Sequence, residues 1–442
     1  MPRPQIIAGI DVGSSKIVTI IASNSPEEGE KARVIGVASR PSKGIRKGQI
    51  VNIEETTESL LACVEAAERM AGYNINRASV AIGGGHVSSA NSKGVVAVAE
   101  PENEITKDDI KRVIEAAQAL SLPSSRDIIH VLPRYFTVDG QEGIKDPIGM
   151  SGVRLEVETH MITGSVTAIK NLTKCVAEIG VEAQSLVVSG LAAAESVLSE
   201  TEKELGVVLV DIGGGVTDVV VYVEGSPFYT AVLPIGAKNV TNDLAIGLRL
   251  SLESAEKIKV ALSQEKKKDQ EKEKKEKDEE GKETEEKTKT NIDEIKLSDL
   301  GVYEEDKVIS RKTLVEGIIK PRLNEIFTMV GMEIKKSSAA SLTPSGIVIC
   351  GGGAKTVGII EAAKRTLAMP VRVGTPSTLT GLTDEIESPE YAVATGLILY
   401  RCNEEPERQV LFPLGKLSKV LPKMPVKGIA GKCVNLIKSF LP

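Results

Sequence analysis

The sequence predicts an α/β protein of two similar lobes, and three observations support this prediction. Apolar runs rich in Val and Ile, which are typical of strands buried in a sheet, alternate with amphipathic helical segments. A strand, an Asp-x-Gly loop and a second strand follow one another twice, first around Asp11 and again around Asp211. The chain has 442 residues, which is more than a single hydrophobic core usually serves. We therefore expect two lobes, each with its own sheet and its own loop.

Composition and charge narrow the class of protein. Hydrophobic residues make up 41% of the chain, as in globular proteins. The net charge of -6 argues against nucleic-acid binding, because a protein that neutralises phosphates needs a basic surface. The 5 cysteines are scattered without a CxxC motif, which argues against disulfides or structural zinc and favours a reducing cytosol. We expect no signal peptide and, without an apolar run of about 18 residues, no membrane-spanning helix.

The chain opens on the first Asp-x-Gly unit. Apolar residues at 5–10 and 17–22 predict two strands, and the turn between them reads Asp-Val-Gly-Ser-Ser-Lys. Glycine at position 13 leaves backbone N–H groups open to an anion, while two serine hydroxyls and Lys16 add donors and a positive charge. Taken alone, this turn could equally be an ordinary glycine-containing hairpin.

The segments that follow predict two helices and several strands. An apolar stripe predicts a helix over 56–70. Thr106 and Asp109 are placed as in a capping box, which predicts the start of another helix. The stretch 124–163 is punctuated by Gly and Pro and contains three strand-like runs. These runs are Ile128–Val131, Tyr135–Val138 and Val153–Val157.

The second Asp-x-Gly unit has a longer glycine loop. The strand Val207–Val210 leads into Asp-Ile-Gly-Gly-Gly-Val-Thr-Asp, and the strand Val219–Val223 follows it. Because Asp11 and Asp211 end their strands, we expect these carboxylates to hold a hydrated Mg²⁺. Two such loops facing each other would hold a triphosphate across a cleft.

A third glycine cluster supports the nucleotide interpretation. Gly351–Gly353 comes after the buried-type strand Ile347–Cys350 and before a helix over 356–367. The sequence has no Walker A motif and no GxGxxG after its first strand, which argues against P-loop and Rossmann sites.

The segment Gln264–Thr290 differs from the rest of the chain. It has no large apolar residue, and its Lys and acidic residues nearly balance. It cannot bury a core, so it forms either a projecting helix stabilised by i,i+4 pairs or a disordered segment. We favour disorder or a frayed helix, inserted into a folded lobe because apolar patterning resumes after Ile292.

The end of the chain predicts a linker followed by a short amphipathic helix. Four prolines lie between 403 and 425. On a helical wheel, residues 426–441 separate into an apolar side and a polar side that carries Lys but no acid, a pattern that suits an anionic membrane surface. Docking on the protein's own core is the alternative, which the long linker argues against. The candidate membrane-contacting residues are Lys427, Ile429, Lys432, Cys433, Val434, Leu436, Ile437, Lys438, Phe440 and Leu441.

The order of the three glycine loops resembles the superfamily of actin, heat-shock-chaperone and sugar-kinase ATPases. The resemblance implies ATP with Mg²⁺ bound between two actin-like lobes. It also implies that Glu256 and Lys259 contact the adenosine, although a surface ion pair is the alternative, and that Gly236 approaches the phosphates. The candidate nucleotide-binding residues are Asp11, Gly13, Ser14, Ser15, Lys16, Asp211, Gly213, Gly214, Gly215, Thr217, Gly236, Glu256, Lys259, Gly351, Gly352 and Gly353, with Asp11 and Asp211 holding Mg²⁺ through water.

The resemblance implies little for catalysis. Chaperones of this superfamily carry a Glu that orients the attacking water. The similar segment here, residues 188–194, holds small residues, and Ser189 cannot act as a carboxylate base. We therefore assign no catalytic residue and expect at most a slow ATPase.

A narrower resemblance comes from residues 126–155, which are similar to the FtsA family of bacterial cell-division proteins. It implies an inserted subdomain in the first lobe, self-assembly into filaments, capture of the C-terminal tail of FtsZ, and a peripheral location on the cytoplasmic side of the membrane at the division site. A sugar kinase of the superfamily and a pilus-assembly scaffold are the alternatives.

The resemblance and the composition together predict the domain boundaries. The first lobe is expected over 1–84 and 162–200, with the inserted subdomain over 85–161. The second lobe is expected over 201–242 and 318–402, with an outer subdomain over 243–317 that contains the charged insert. A linker over 403–425 and a membrane-targeting helix over 426–442 are expected to follow.

Overall fold

The computed structural model of the chain describes residues 5–24, 32–99, 104–119, 121–264, 294–297 and 308–403. They belong to one compact unit that ends at Asn403. The predicted membrane-targeting helix lies outside the described residues, as do the predicted linker apart from Asn403 and the predicted insert apart from Gln264. Within the described ranges, no helix is both long and apolar enough to cross a membrane.

The strands are numbered here in chain order. They are β1 (Gln5–Val12), β2 (Lys16–Asn24), β3 (Arg33–Pro41), β4 (Ile45–Arg46), β5 (Gln49–Ile50), β6 (Arg77–Ile82), β7 (Ser88–Ala97), β8 (Arg126–Val138), β9 (Gln141–Ile144), β10 (Arg154–Ser165), β11 (Glu182–Val188), β12 (Val207–Ile212), β13 (Thr217–Val223), β14 (Ser226–Leu233), β15 (Glu294–Lys296), β16 (Val308–Ser310), β17 (Ile347–Cys350), β18 (Val371–Val373) and β19 (Thr380–Gly381).

The helices are numbered in the same way. They are α1 (Ile53–Ala71), α2 (Lys107–Gln118), α3 (Val166–Glu178), α4 (Ser189–Val197), α5 (Glu200–Leu205), α6 (Ala237–Leu248), α7 (residues 252–264), α8 (Arg311–Leu314), α9 (Lys320–Lys336), α10 (Ile359–Leu367) and α11 (Ala392–Asn403). A π-helical turn, Val315–Ile319, joins α8 to α9. The 3₁₀ turn Gly352–Lys355 includes part of the third glycine cluster, and the 3₁₀ turn Pro389–Tyr391 lies against this cluster.

The first lobe is built on a sheet of six strands in the order β11-β6-β1-β2-β3-β19. β1 pairs antiparallel with β2 and parallel with β6. Its two faces enter different cores, since Ile10 packs in one apolar cluster and Ile7 in another. The strand is covered on both sides, which explains why its sequence is a continuous apolar run rather than an alternating one.

The second lobe and the inserted subdomain share one sheet, in the order β18-β17-β12-β13-β14-β7-β10-β8-β9. β14 of the second lobe meets β7 of the insert at a single residue pair, Ala231 opposite Ser88. His160 reinforces this junction, because its Nε2 lies 3.0 Å from Thr230 Oγ1 and its Nδ1 lies 2.7 Å from Asn91 Oδ1. In sequence, the insert lies between β6 and α3 of the first lobe. Its strands nevertheless continue the sheet of the second lobe.

One sequence expectation for the insert is wrong. The runs 128–131 and 135–138 were expected as separate strands, but both lie in the single strand β8. Pro133 between them pairs with Thr159 next to a bulge in the β8–β10 ladder. On the other side of β8, β9 pairs only with residues near Phe136 and Val138, so no ladder hydrogen bond is needed from the proline.

The last described helix, α11, packs against the first lobe. Val393 and Leu397 belong to the same apolar cluster as Ile10, and Ile398 belongs to the same cluster as Ile7. The predicted boundaries assign residues 318–402 to the second lobe, but the final helix of this range lies on the first sheet. β19 already pairs with β3 in the first sheet, so the segment between β18 and β19 connects the two lobes.

The charged insert provides a first testable prediction. Replacing residues 265–290 by a ten-residue Gly/Ser linker should leave Tm almost unchanged, because the segment has no large apolar side chain to bury and loop closure depends weakly on length. As a positive control, Leu262→Ala in α7 should lower Tm clearly, since this side chain is fully buried. Scanning calorimetry measures the Tm of both variants and of the unchanged protein. A loss above about 5 °C on linker replacement would mean that the insert packs on the folded domain.

Candidate functional site

Both Asp-x-Gly loops are the turns of antiparallel hairpins. β1 and β2 flank the first turn, where Asp11 lies opposite Val18, and β12 and β13 flank the second, where Asp211 lies opposite Asp218. Because β1 and β12 belong to different sheets, each lobe supplies one loop.

The two loops touch, and glycine permits the contact. A Cβ on Gly214 would lie 2.7 Å from Ser15 Cβ, and a Cβ on Gly215 would lie 3.0 Å from Ser14 Cβ. Ordinary carbon–carbon contacts are about 3.5–4.0 Å. A side chain at position 214 would therefore push the loops apart.

The loops border a cleft with a volume of about 380 Å³, which is within the usual range for small-molecule sites. Most residues predicted from the sequence are brought together there. Those that line the cleft are Asp11, Gly13, Ser14, Ser15, Lys16, Asp211, Gly213, Gly214, Glu256, Lys259, Gly351, Gly352 and Gly353.

Three aspartic acids line the cleft, Asp11, Asp211 and Asp218, in addition to Glu256 and Glu390. Burial raises the pKa of Asp11 to about 6, against the opposing charge of Lys16. Burial, followed by the charge of Asp11, raises the pKa of Asp211, and burial, followed by the charge of Asp211, raises the pKa of Asp218. Asp218 is only 1% exposed, and its Oδ1 accepts no hydrogen bond from any described residue.

These acids fit a hydrated cation better than a bare one. A cation would offset their mutual repulsion, and the unpartnered Asp218 Oδ1 could accept a hydrogen bond from a metal-bound water. Among the described residues, no group of three or more His, Cys, Asp or Glu side chains is arranged to hold a metal ion directly. Mg²⁺ commonly keeps several of its waters in proteins, which suits this arrangement.

Four lysines supply positive charge to the cleft: Lys16, Lys238, Lys259 and Lys355. Lys16 and Lys238 both line it, and Lys238 Nζ donates to the backbone oxygen of Ser14 at 2.7 Å. This bond links the second lobe to the first loop. Partial burial lowers the pKa of the ammonium groups of Lys16 and Lys238. Lys16 is partly exposed and Lys238 is exposed, so both can be reached by a phosphate partner.

Both members of the predicted adenosine-side pair line the cleft, although the side chain of Glu256 is 48% exposed. Lys259 is only 8% exposed, and its Nζ donates to Glu256 Oε2 at 2.7 Å and to Thr241 Oγ1 at 2.9 Å. Thr241 Oγ1 also donates to Glu256 Oε2, at 2.5 Å. The resulting network joins α6 to α7 and holds both charged side chains in fixed positions.

Three of the predicted residues lie outside the cleft lining. Thr217 is fully buried, and its hydroxyl donates to Ile235 O at 2.9 Å, so the structure does not bring this donor to the cleft. Gly215 packs on Ser14, as described above. Gly236 lies behind the second loop, where a Cβ would be 2.6 Å from Gly213 O. These glycines support the loops without facing a ligand.

Comparisons with known proteins assign the family. The model "Cell division protein FtsA" matches residues 208–396, and the model "SHS2 domain inserted in FTSA" matches residues 84–163. Cell division protein FtsA of Pseudomonas aeruginosa is 38% identical over 423 residues, which cover 96% of this chain and 95% of that protein. The chain belongs to the FtsA family. It is therefore an actin-like cell-division protein, and the kinase and pilus-scaffold alternatives are not favoured.

Solved structures share the fold of this FtsA-family chain at low identity. The PilM–PilN type IV pilus biogenesis complex has a TM-score of 0.60 and 16% identity, covering 90% of this chain and 99% of that one. MreB5 of Spiroplasma citri bound to ADP has a TM-score of 0.51 and 13% identity, covering 93% of this chain and 98% of that one. Together with the SHS2 match, they confirm the predicted two-lobed actin-like fold with an FtsA-type insert.

The structure adds cleft residues that the sequence analysis of this FtsA-family chain did not single out. Asp218 closes the second loop motif, so its position opposite Asp211 could have been inferred from the hairpin. Lys238 is the second residue of α6 and follows Gly236 by two positions, which is a weak signal at most. Glu390 and Lys355 are distant in sequence from both Asp loops, and only the fold brings them to the cleft.

Proposed function

We propose that this FtsA-family chain binds ATP with Mg²⁺ between its lobes, self-assembles, and anchors the FtsZ ring to the inner face of the membrane. One observation in particular supports the proposed binding of ATP with Mg²⁺. Two glycine loops from different lobes meet at a cleft that is also lined by Lys16 and Lys238 and by the carboxylic acids of Asp11, Asp211 and Asp218. Anionic phosphates with a divalent cation match this set of charges.

Each part of the cleft suits one part of the nucleotide. The backbone N–H groups of the two Asp loops, with Lys16 and Lys238, would bind the phosphates. Asp11 and Asp211 would hold Mg²⁺ through its waters, with Asp218 as a further acceptor, and the bound ion would neutralise phosphate charge. Glu256, Lys259 and the third glycine cluster would bind the adenosine. The ADP in the structure of MreB5 from Spiroplasma citri supports a nucleotide in this fold.

The cleft favours a nucleotide switch over rapid turnover. α4 begins with Ser189 and Gly190, and Ser189 lines the cleft with a hydroxyl where a carboxylate base would be needed. We therefore propose that nucleotide binding mainly controls self-assembly and that hydrolysis is slow at most.

Attachment to the membrane is the second part of the proposal. The basic amphipathic segment 426–442 would lie on anionic lipid, and the linker 403–425 would let the folded domain bind FtsZ while attached. The C-terminal tail of FtsZ is the proposed contact. Many weak membrane contacts in one filament would act together, which gives stable attachment by avidity.

Co-sedimentation with anionic liposomes tests the whole proposal. FtsZ should pellet with the liposomes only when this chain and ATP with Mg²⁺ are both present. FtsZ that lacks its C-terminal tail is the matched control and should stay in the supernatant. Recruitment of the tailless FtsZ to the same extent, or recruitment that ignores nucleotide, would contradict the proposed link between the cleft, the membrane and FtsZ.

A further inference from the structure

Three charged side chains that line the cleft, Lys16, Glu390 and Lys355, are linked by ion pairs. Glu390 Oε2 lies 3.5 Å from Lys16 Nζ, and Glu390 Oε1 lies 3.4 Å from Lys355 Nζ. Lys16 Nζ also lies 4.2 Å from the centre of the Tyr391 ring. One carboxylate therefore holds two ammonium groups, and all three residues line the cleft.

The three residues come from different parts of the fold. Lys16 begins β2 after the first Asp loop, and Lys355 ends the 3₁₀ turn of the third glycine cluster in the second lobe. Glu390 lies in the turn Pro389–Tyr391, which leads into α11 of the first lobe. The N–H of Gly351 donates to Pro389 O at 2.9 Å, so this turn is fixed against the third cluster. The ion chain thus connects the lobes beside the phosphate loops.

The bridge is poorly suited to stabilising the fold. The side chains of Lys16 and Glu390 are each 27% exposed and that of Lys355 is 38% exposed. Ion pairs that are this accessible to water contribute little to stability. Their position matters more, because Lys16 is the side chain that the phosphates of a nucleotide would need. The carboxylate of Glu390 pairs with the ammonium group of Lys16 and would repel the nucleotide phosphates as they bind.

We propose that Glu390 is a positioning residue that competes with nucleotide phosphates for Lys16 and Lys355. In the empty cleft it holds the two lysines together across the lobes. On binding, the phosphates displace it, so that Glu390 lowers the affinity for nucleotide and couples occupancy of the cleft to the contact between the lobes. This inference rests on the proposed binding of ATP in the cleft.

Binding measurements on Glu390→Gln test the competition. The substitution keeps the shape of the side chain and removes its charge. ATP with Mg²⁺ should therefore bind roughly three- to tenfold more tightly, the range expected from releasing one or two partly exposed ion pairs. Adenosine has no phosphates and should bind the variant and the unchanged protein equally. Glu387→Gln is the control, because it makes the same charge change at an exposed position three residues away.

The comparison of ligands separates competition from other roles. Unchanged or weaker ATP binding in Glu390→Gln would overturn the proposal, as would an equal change in ATP and adenosine affinity, which would place Glu390 at the base or ribose. An equal gain in ATP affinity in Glu387→Gln would mean that any lost negative charge in this region has the same effect, and it would also overturn the proposal. If the unchanged protein binds no ATP, the proposed function itself fails, and this outcome is distinct from the others.

Hydrogen exchange supplies a readout without nucleotide. Loss of the bridge should accelerate exchange of the backbone amides of residues 351–356 in nucleotide-free Glu390→Gln relative to the unchanged protein. Saturating ATP should remove this difference, because the phosphates then hold the lysines in both proteins. Equal exchange of the two nucleotide-free proteins would overturn the role of Glu390 in holding the lobes together.

Discussion

Gly214→Val should abolish measurable binding of ATP with Mg²⁺. A Cβ at this position would already lie 2.7 Å from Ser15 Cβ. The two further carbons of valine would push the loops apart and occupy the space in which the phosphates would bind. Several charge-assisted hydrogen bonds of about 1.5–3 kcal/mol each would be lost together. The expected loss of affinity is at least ~100-fold, measured by isothermal titration calorimetry.

Two further variants make this result interpretable. Gly317→Val is the matched control, because Gly317 is exposed and a Cβ there would meet only Thr313 Cγ2, at 4.0 Å. It should bind ATP normally. Asp211→Asn should weaken binding through loss of the charge that holds Mg²⁺. Unchanged ATP affinity in both Gly214→Val and Asp211→Asn would contradict the assignment of the cleft.

The stability of Asp211→Asn can be predicted from the pKa of the acid it replaces. Burial, followed by the charge of Asp11, raises the pKa of Asp211 from 3.8 to about 7 in the folded protein. The folded state therefore holds the proton more tightly than the unfolded state, and stability falls as the pH rises from 3.8 through 7. Removing this acid should not lower Tm at pH 8, so any lost binding reflects the site and not the fold.

Much of this cleft could be predicted from the sequence because its chemistry is local. An Asp at a strand end, glycine in the turn and a second strand are neighbours in the chain, and the hairpin alone fixes their geometry. The strand before the third glycine cluster was predicted with the bounds Ile347–Cys350 that the structure has. The capping box predicted from Thr106 and Asp109 is also present at the start of α2.

Features that depend on contacts between distant segments could not be predicted in this way. Thr217 follows the second loop as a donor should, but the strand turns its hydroxyl toward Ile235 and away from the cleft. Nothing near Glu390 in the sequence indicates a cation partner, because Lys16 and Lys355 reach it only when the lobes meet. The pairing of β14 with β7 likewise joins segments that are far apart in the chain. In each case the sequence contains both partners but gives no indication that they come together in the fold.

The membrane segment provides the other large expected effect, and it rests on sequence alone. Truncation after Pro425 should leave a protein that binds ATP but no longer pellets with anionic liposomes. Burying a few large apolar side chains at about 1.5–3 kcal/mol each, with about 1 kcal/mol from each nearby Lys, must also offset the cost of ordering the helix. A single copy would then bind only modestly, so pelleting of the full chain should rise with protein concentration and fall with added salt.

A pair of single substitutions separates the apolar face from the charge of this segment. Phe440→Glu places a carboxylate within the apolar side and should reduce pelleting almost as much as truncation. Ser439→Glu makes the same change of charge on the polar side of the predicted helix and should reduce pelleting only slightly. If both variants pellet alike, or if the truncated protein still binds lipid, the segment does not lie on the membrane as an amphipathic helix. Equal binding of the full chain to neutral and anionic liposomes would contradict the role of its lysines.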